Sequence, residues 1–545
     1  MGCYVLAVGG TGNKILESLV YLAALDGLYT LDEAGNQTPL TEVTLLSVDV
    51  DAACGNTTRA KRAAESYSRL QEAFRRYPAE HPGFHTALTL ERWNMNLSRR
   101  AMSVDKMVEN HRRDQLLSRT IFSRTESALE YSEGFRGHPD LGVLFFHDLL
   151  NSLDDLRREG QPDEMNRLLD RIQAELDRDE PVKLILCGSI FGGTGASGIP
   201  AVARFLRKRF AARSQRFEMG AMLMLPYYRV PASSADESAE IVVKSDDFLD
   251  KARTALQYYG MEGMIRDGEQ DENGVFDALY LLGLPPEGFV TTRRYSTGSQ
   301  SQENDAHMLE WLASRCIAAF FRTGFRGAEQ HHMDCYYYQL HTPSFCWQSF
   351  DQEEKAYRRG YGSLLKAAAL FFAECYPTLK SCISLDSRQS ARVNYCAPYF
   401  ARRPAAEREK LEELLRTLYR FLNFYANWMI QIVRTLPPIL CQPAEEGRLP
   451  QNELLDANLL EELLVLLTQY GLKPEERSRA EKDQAAERLQ RELHRLVIRR
   501  TPDRQTAAKI IAGLGGGQRL GTGAEGAVCS FLAALLRCAG EEEDQ

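Results

Sequence analysis

The sequence lacks several features that assign a protein to a common class. It contains no low-complexity tract and no internal repeat, and its twelve cysteines include neither a C-x-x-C pair nor a Cys/His cluster at zinc-site spacing. These absences argue against zinc fingers and disulfide scaffolds, and scattered cysteines in apolar runs predict a reducing, cytoplasmic compartment.

Excess positive charge and long apolar runs are also absent. Lys and Arg total 66 against 75 Asp and Glu, a formal charge of −9, which argues against a protein that coats nucleic acid. The most apolar helical stretch, 411–440, is interrupted by arginine and asparagine, so no membrane span is predicted. No G-x-x-x-x-G-K-[ST] motif occurs, which argues against a P-loop NTPase.

The segments that are present predict an α/β protein with more than one domain, because 545 residues exceed a single core. Short apolar strands predicted at 4–8, 43–50, 182–188, 219–225 and 276–282 alternate with helices, which is typical of a parallel sheet. We expect a helical, Arg-rich insertion without a strand over 57–133, a charged helix over 154–177, a helix from about 199 and another over 304–322. Beyond 325 we expect mainly helix, including 407–434 and 475–500, with one further strand at 335–340 and a glycine-rich turn at 513–526. The predicted domains are 1–303, a linking helix 304–322 and a helical region 323–545.

Two strand–glycine loop–helix junctions are the strongest chemical signal. The first contains Gly9, Gly10, Thr11, Gly12 and Asn13, and the second runs from Phe191 to Gly198. Glycine lets a backbone approach a ligand closely, and the amide groups at the following helix N-terminus attract anions. Two such junctions in one sheet predict a phosphate-binding site.

An acidic pair, Asp49 and Asp51, follows the second predicted strand. These carboxylates suit Mg²⁺ bound to phosphates, or one of them suits a ribose hydroxyl as in dinucleotide folds. A solvated turn is the remaining interpretation.

These motifs resemble the tubulin/FtsZ superfamily over residues 1–325. Gly9–Asn13 resembles its G-x-x-G-N loop, Val48–Asp51 its V-D-x-E strand end, and 191–198 its G-G-G-T-G-S-G hallmark, with Phe191 in place of the first glycine. The resemblance implies a GTP or GDP ligand with Mg²⁺. Residues expected at the phosphates are Gly192, Gly193, Thr194 and Gly195, with Ala196 and Ser197 in the same loop and Arg136 and Gly137 in the position of the γ-phosphate loop.

The helix predicted over 304–322 resembles the family's central helix, whose start meets the guanine base. Asn304 is expected at the base, with Gln302 and His307 as alternatives, and a helix cap is the alternative role of Asn304. Asp236 and Glu237 are candidates for the ribose, or else solvent-facing loop residues.

The sequence departs from the family after Arg322. The N-x-D-x-x-D or N-x-D-x-x-E loop that completes a neighbour's active site is missing, so GTP hydrolysis is expected to be weak or absent. We therefore expect a bacterial, cytoskeletal tubulin-like protein that assembles head-to-tail into filaments, with a further protein partner at the helical C-terminal region. The alternatives are a non-polymerising, nucleotide-locked scaffold or regulatory subunit, and a Rossmann-type NAD- or FAD-dependent oxidoreductase, although the first loop, residues 9–14, lacks G-x-G-x-x-G spacing.

Overall fold

The computed structural model describes most of the N-terminal part of the chain and several C-terminal helices. The described residues are 1–32, 34–51, 54–77, 83–95, 103–109, 112–131, 134–135, 137–229, 247–264, 274–291, 304–325, 334–337, 360–372, 397–400, 404–435 and 523–540. Two compact units divide the chain, namely Met1–Leu22 with Gly27–Ala64 and Leu88–Leu340, and Ala23–Asp26 with Glu65–Ala87 and His341–Gln545.

A seven-stranded sheet forms the centre of the first unit, in the order β11-β9-β7-β6-β1-β4-β5. Six of these strands, from β11 to β4, pair in parallel with their neighbours. The predicted parallel α/β fold is therefore confirmed. The strands are β1 (Gly2–Val8), β2 (Tyr29–Leu31), β3 (Gln37–Pro39), β4 (Glu42–Val48), β5 (Ala87–Arg92), β6 (Val182–Ser189), β7 (Phe217–Met224), β8 (Tyr228–Arg229), β9 (Ala278–Leu282), β10 (Val290–Thr291) and β11 (Asp334–Tyr337).

The central strands form because most of their side chains are apolar on both faces. Every residue of β6 and β7 is buried, which is typical of parallel strands covered by helices on both sides of a sheet. The helices of the first unit are α1 (Gly9–Ala24), α2 (Gly55–Phe74, which continues into the second unit), α3 (Val104–Met107), α4 (Arg112–Ile121), α5 (Arg124–Ala128), α6 (Pro139–Asn151), α7 (Leu153–Arg158), α8 (Glu164–Asp177), α9 (Gly193–Arg209), α10 (Asp247–Met261) and α11 (Met308–Arg322).

Several local predictions were wrong. The region 57–133 contains a strand, β5. This strand was not predicted because only Leu88 of its six residues is buried, so the sequence shows no apolar pattern there. The segment between α1 and β4, for which no strand was predicted, contains an antiparallel pair, β2 with β3. The charged helix over 154–177 is two helices, α7 and α8, separated at residues 159–163.

Described residues of the second unit beyond 340 are all helical or flank helices. These helices are α12 (Tyr361–Leu370), α13 (Ala397–Phe400), α14 (Ala405–Arg434) and α15 (Gly523–Gly540). The Tyr425 hydroxyl of α14 donates a hydrogen bond of 2.5 Å to the Tyr361 carbonyl of α12, and Trp428 packs 5.8 Å from the Tyr361 ring. The apolar side of α14 thus packs against other helices.

Two remaining predictions lie outside the described residues, namely the helix over 475–500 and most of the glycine-rich segment 513–526. Among the helices that the structure describes, none combines the length and apolarity needed to cross a bilayer.

Candidate nucleotide-binding site

The carboxyl ends of β1 and β6 lie side by side at the centre of the sheet. The chain continues from β1 to β4 and β5 on one side, and from β6 to β7, β9 and β11 on the other. In open α/β sheets, ligands bind outside the carboxyl ends of the strands where the order reverses in this way. Because the two glycine loops follow β1 and β6 directly, both lie at this position.

The first glycine loop forms the start of α1 and packs tightly on two strands. Gly9 has a φ of +76°, in the left-handed region that favours glycine. A Cβ on Gly12 would lie 2.8 Å from the carbonyl carbon of Ala7 and 2.8 Å from the carbonyl oxygen of Cys187. Glycine is therefore required here for the loop to reach the ends of β1 and β6.

Asn13 holds the first loop in place. Its Nδ2 donates to the Gly9 carbonyl at 3.1 Å, and its Oδ1 accepts a 2.7 Å hydrogen bond from the Ser47 hydroxyl of β4. The side chain is fully buried, so in this structure Asn13 positions the loop.

The second glycine loop leads into α9, which begins at Gly193 and not near Ile199 as predicted. Its N-cap, Gly192, makes no side-chain cap hydrogen bond, so the N-cap residue supplies no acceptor for the first amide groups of the helix. A Cβ on Gly195 would lie 2.2 Å from the Ser189 carbonyl oxygen. The early start explains the glycines, because the first turn of α9 packs directly on the end of β6.

Phe191, the departure from the family's hallmark, is a core residue. It is buried, and its ring lies 4.9 Å from Phe248, 5.8 Å from Tyr228 and 6.1 Å from Tyr227. A large apolar side chain at this position anchors the second loop to α10 and to the segment that follows β7.

The two loops touch each other, and a third loop joins them. A Cβ on Gly9 would lie 3.2 Å from Thr194 Cβ, and a Cβ on Gly193 would lie 3.2 Å from the Gly137 amide nitrogen. Gly137 has a φ of +81°, and its carbonyl accepts a 3.1 Å hydrogen bond from Lys251 Nζ. The structure therefore brings together the three segments that the sequence assigned to phosphates.

Burial divides the predicted phosphate residues into two groups. One group is buried in the packing of the loops, and the other is partly open to solvent. The buried residues are Gly9, Gly12, Asn13, Gly193, Gly195 and Ser197, and the partly open ones are Gly10, Thr11, Gly137, Gly192, Thr194 and Ala196. In the buried group, the Ser197 hydroxyl donates a hydrogen bond of 2.8 Å to the Gly193 carbonyl.

Asp49 and Asp51 follow β4, the strand next to β1. Both are buried, and the Asp51 amide donates to Asp49 Oδ1 at 3.3 Å. Burial, followed by the charge of Asp51, raises the pKa of Asp49 to about 7. The described residues contain no cluster of three or more potential metal ligands, so a cation here would need further oxygens from a ligand, as Mg²⁺ in phosphate sites does.

The start of α11 also differs from the prediction. The helix begins at Met308, and its cap is His307 rather than Asn304. His307 Nδ1 accepts from the Leu309 amide at 3.1 Å, and Glu310 Oε2 accepts from the His307 amide at 2.8 Å. Burial, followed by the charge of Lys14, lowers the pKa of His307 to about 3, so the ring is neutral at physiological pH.

Asn304 lies beside the first loop and is held through its main chain. Its amide donates to Asn56 Oδ1 at 3.1 Å, and its carbonyl accepts from Arg59 at 3.0 Å. Arg59 also pairs with Glu17 of α1 at 2.6 Å. Asn56 adjoins the loop, because a Cβ on Gly10 would lie 3.4 Å from its Nδ2.

A buried ion pair that the sequence analysis did not identify connects α1 to α11. Lys14 Nζ lies 2.5 Å from Glu310 Oε1, and the Tyr227 hydroxyl donates to the same oxygen at 2.6 Å. The Tyr227 hydroxyl also contacts Thr11 of the first loop. The three-residue spacing of His307 and Glu310 is that of a capping box, which indicates the start of a helix but does not indicate the ion pair with Lys14.

Four residues of the sequence analysis, Arg136, Asp236, Glu237 and Gln302, lie outside the described residues.

Comparisons with known proteins add little to this geometry. No family model matches the chain, and no curated protein matches it. Among solved structures, the chain is similar to CetZ2 from Haloferax volcanii, described as a GTPγS-bound protofilament, with 13% identity and a TM-score of 0.25. The match covers 58% of this chain and 56% of that chain, so it spans little more than half of that structure. A likeness at this TM-score carries no argument about function.

We expect Gly195→Ala to lower the free energy of unfolding by about 1–3 kcal/mol, because its methyl group would overlap the Ser189 carbonyl. The matched control is Gly260→Ala in α10, where a Cβ has nothing within 4 Å and alanine favours the helix by up to about 1 kcal/mol. Thermal denaturation of both variants tests this, and equal midpoints would contradict the packing described for α9.

Lys14→Met should destabilise the protein by about 3–5 kcal/mol, because it leaves the Glu310 carboxylate buried without its ion partner. Arg158→Gln removes the exposed pair with Asp155 and should cost less than about 1 kcal/mol. Urea denaturation measures both changes. A Lys14→Met cost as small as that of Arg158→Gln would show that the buried pair contributes no net stability.

Proposed function

We propose that this chain binds GTP or GDP where its glycine loops meet, and that it is a divergent member of the tubulin/FtsZ superfamily. The observation that carries the proposal is the contact between two strand–glycine–helix junctions, in which a Cβ on Gly9 would lie 3.2 Å from Thr194 Cβ. The two loops meet outside the carboxyl ends of β1 and β6, where the strand order reverses, and this is the position at which open α/β sheets bind ligands.

The open residues of the loops supply the phosphate contacts in this proposal. Gly10, Thr11, Gly192 and Thr194 are partly accessible, and they surround the uncapped N-terminus of α9. Backbone amides and the helix dipole there favour an anion. A Rossmann-type dinucleotide site uses one such loop, so the second loop favours the tubulin-like alternative.

Asp49 and Asp51 are the residues that would hold Mg²⁺. They precede the start of α2, where Asn56 adjoins Gly10, so the carboxylates belong to the segment that faces the first loop. Their donor set, two carboxylates completed by phosphate and water, fits Mg²⁺. The cation would neutralise phosphate charge and orient the phosphates.

Asn304 is the proposed contact to the base. Its main chain is fixed beside the first loop by Asn56 and Arg59, and the residue is partly accessible. An amide side chain offers both a donor and an acceptor, which matches the mixed edge of guanine.

Assembly into head-to-tail filaments is part of the proposal, with the nucleotide at the contact between subunits. A contact between two different surfaces propagates into an open filament when its rotation does not close a ring. No catalytic residue is assigned, because the family's carboxylate loop after Arg322 is missing from the sequence. The helical second unit is the proposed surface for a further protein partner.

The direct test is to denature the purified protein, identify the released nucleotide by chromatography, and follow light scattering after adding GTP. Released GDP or GTP together with GTP-dependent scattering is expected. Guanine nucleotide without scattering would support the non-polymerising scaffold. NAD, FAD or no ligand would contradict the proposed site.

Gly10→Asp is the matching variant, because it places a carboxylate in an anion site where a Cβ has room. We expect nucleotide affinity to fall by about 100-fold, or about 2.8 kcal/mol. Gly260→Asp, on the exposed end of α10, adds the same charge elsewhere and should leave affinity unchanged. Unchanged binding by Gly10→Asp would remove the first loop from the site.

Asn304→Ala should reduce the preference for GTP over ATP by about 10-fold, because a lost base-edge hydrogen bond costs on the order of 1–2 kcal/mol. The neighbouring Asp305→Ala serves as the control. Competition titrations with the two nucleotides measure the ratio, and an unaltered ratio in Asn304→Ala would rule out this residue.

A further inference from the structure

The ammonium group of Lys251 lies at the edge of the candidate site, against the loop that contains Gly137. Lys251 is on the second turn of α10 and is partly accessible to solvent, and its Nζ donates a 3.1 Å hydrogen bond to the Gly137 carbonyl. Within the described part of the chain, it makes no other hydrogen bond and no ion pair with a carboxylate. Because an ammonium group has three N–H donors, the side chain brings a positive charge and further donors to the loops.

Helix α10 is held against the glycine loops at a second point. Phe248, one turn before Lys251, is buried, and its ring lies 4.9 Å from the ring of Phe191 in the second loop. The helix therefore contacts the second loop through Phe248 and the Gly137 loop through Lys251. This packing fixes the backbone of Lys251 beside both loops.

Two basic side chains near the first loop have their charges matched by carboxylates of the protein. Lys14 pairs with Glu310, and Arg59 pairs with Glu17. Those pairs are buried or nearly so, and they join helices to one another. Lys251 differs in that its partner is a neutral carbonyl, so its charge remains to attract an anion. Lysine binds phosphate in this way, as a point charge.

In the order of contacts across the site, Lys251 is at the opposite end from Asn304, the proposed contact to the base. Asn304 adjoins the first loop through Asn56. The first loop touches the second, and the second touches the loop of Gly137, which Lys251 contacts. A nucleotide with its base at Asn304 and its phosphates along the loops in this order would bring its terminal phosphate nearest to Lys251.

We propose that Lys251 binds the terminal phosphate of a nucleoside triphosphate and thereby sets a preference for the triphosphate over the diphosphate. The inference rests on the proposed function and adds a selectivity to it. One N–H of the ammonium stays on the Gly137 carbonyl, and another donates to an oxygen of the terminal phosphate. A diphosphate has no group at this position, so the ammonium contributes to triphosphate affinity alone.

The test is calorimetric titration of the full chain, stripped of bound nucleotide, with GTPγS and with GDP in the presence of Mg²⁺. Lys251→Met should lower the affinity for GTPγS by about 10- to 100-fold, the range for losing a hydrogen bond to a charged group, and should leave the affinity for GDP unchanged. Lys251→Arg keeps the charge and should retain most of the preference for GTPγS.

The matched control is Lys208→Met, which removes the same charge from an exposed position at the other end of α9 and should bind both nucleotides as the unaltered chain does. Equal losses of GTPγS and GDP affinity in Lys251→Met would overturn the proposal, because they would show that Lys251 only positions the loop of Gly137. Unchanged affinity for both nucleotides would overturn it as well. An unaltered chain that binds neither nucleotide would contradict the proposed function itself, and this inference with it.

Discussion

The direct parallel pairing of β1 with β6 is the constraint on which the candidate site depends. It places two carboxyl strand ends next to each other, and the chain can leave both only if no side chain occupies the space between them. Gly12 and Gly188 meet this requirement, because a Cβ on Gly12 would lie 2.8 Å from the Cys187 carbonyl oxygen and one on Gly188 would lie 2.5 Å from the Val8 carbonyl oxygen. The glycines of these junctions therefore serve the packing of the two strand ends.

A second layer of interactions is electrostatic and lies beneath the loops. The Lys14–Glu310 pair joins α1 to α11, and the Glu17–Arg59 pair joins α1 to α2. Taking these charges out of water is costly, and close geometry with additional hydrogen bonds, such as that of Tyr227, offsets the cost. The first loop and the start of α11 are consequently held in one arrangement.

Departures from the sequence expectations have specific physical causes. In the sequence, Phe191 is a departure from a glycine motif. In the structure, its ring packs into an aromatic cluster, which explains a large apolar residue at this position. Helix α11 starts at Met308 because a capping box of His307 and Glu310 satisfies its first amides. The general preference for asparagine at helix N-caps concerns a single residue, and it did not predict this start. Strand β5 was missed because an edge strand with one buried residue has no clear apolar period.

The sequence by itself determined the parallel α/β class, the main strands and the two glycine loops, because buried apolar runs and glycine-rich turns are local patterns. It did not determine which loop residues are accessible or that the two loops touch. Nor did it reveal the partners of Lys14 and Glu310. Only the tertiary structure decided these points. Each of them depends on contacts between segments far apart in the chain, such as residues 14 and 310 or 9 and 194. The register and burial of such contacts leave no periodic pattern in a single sequence.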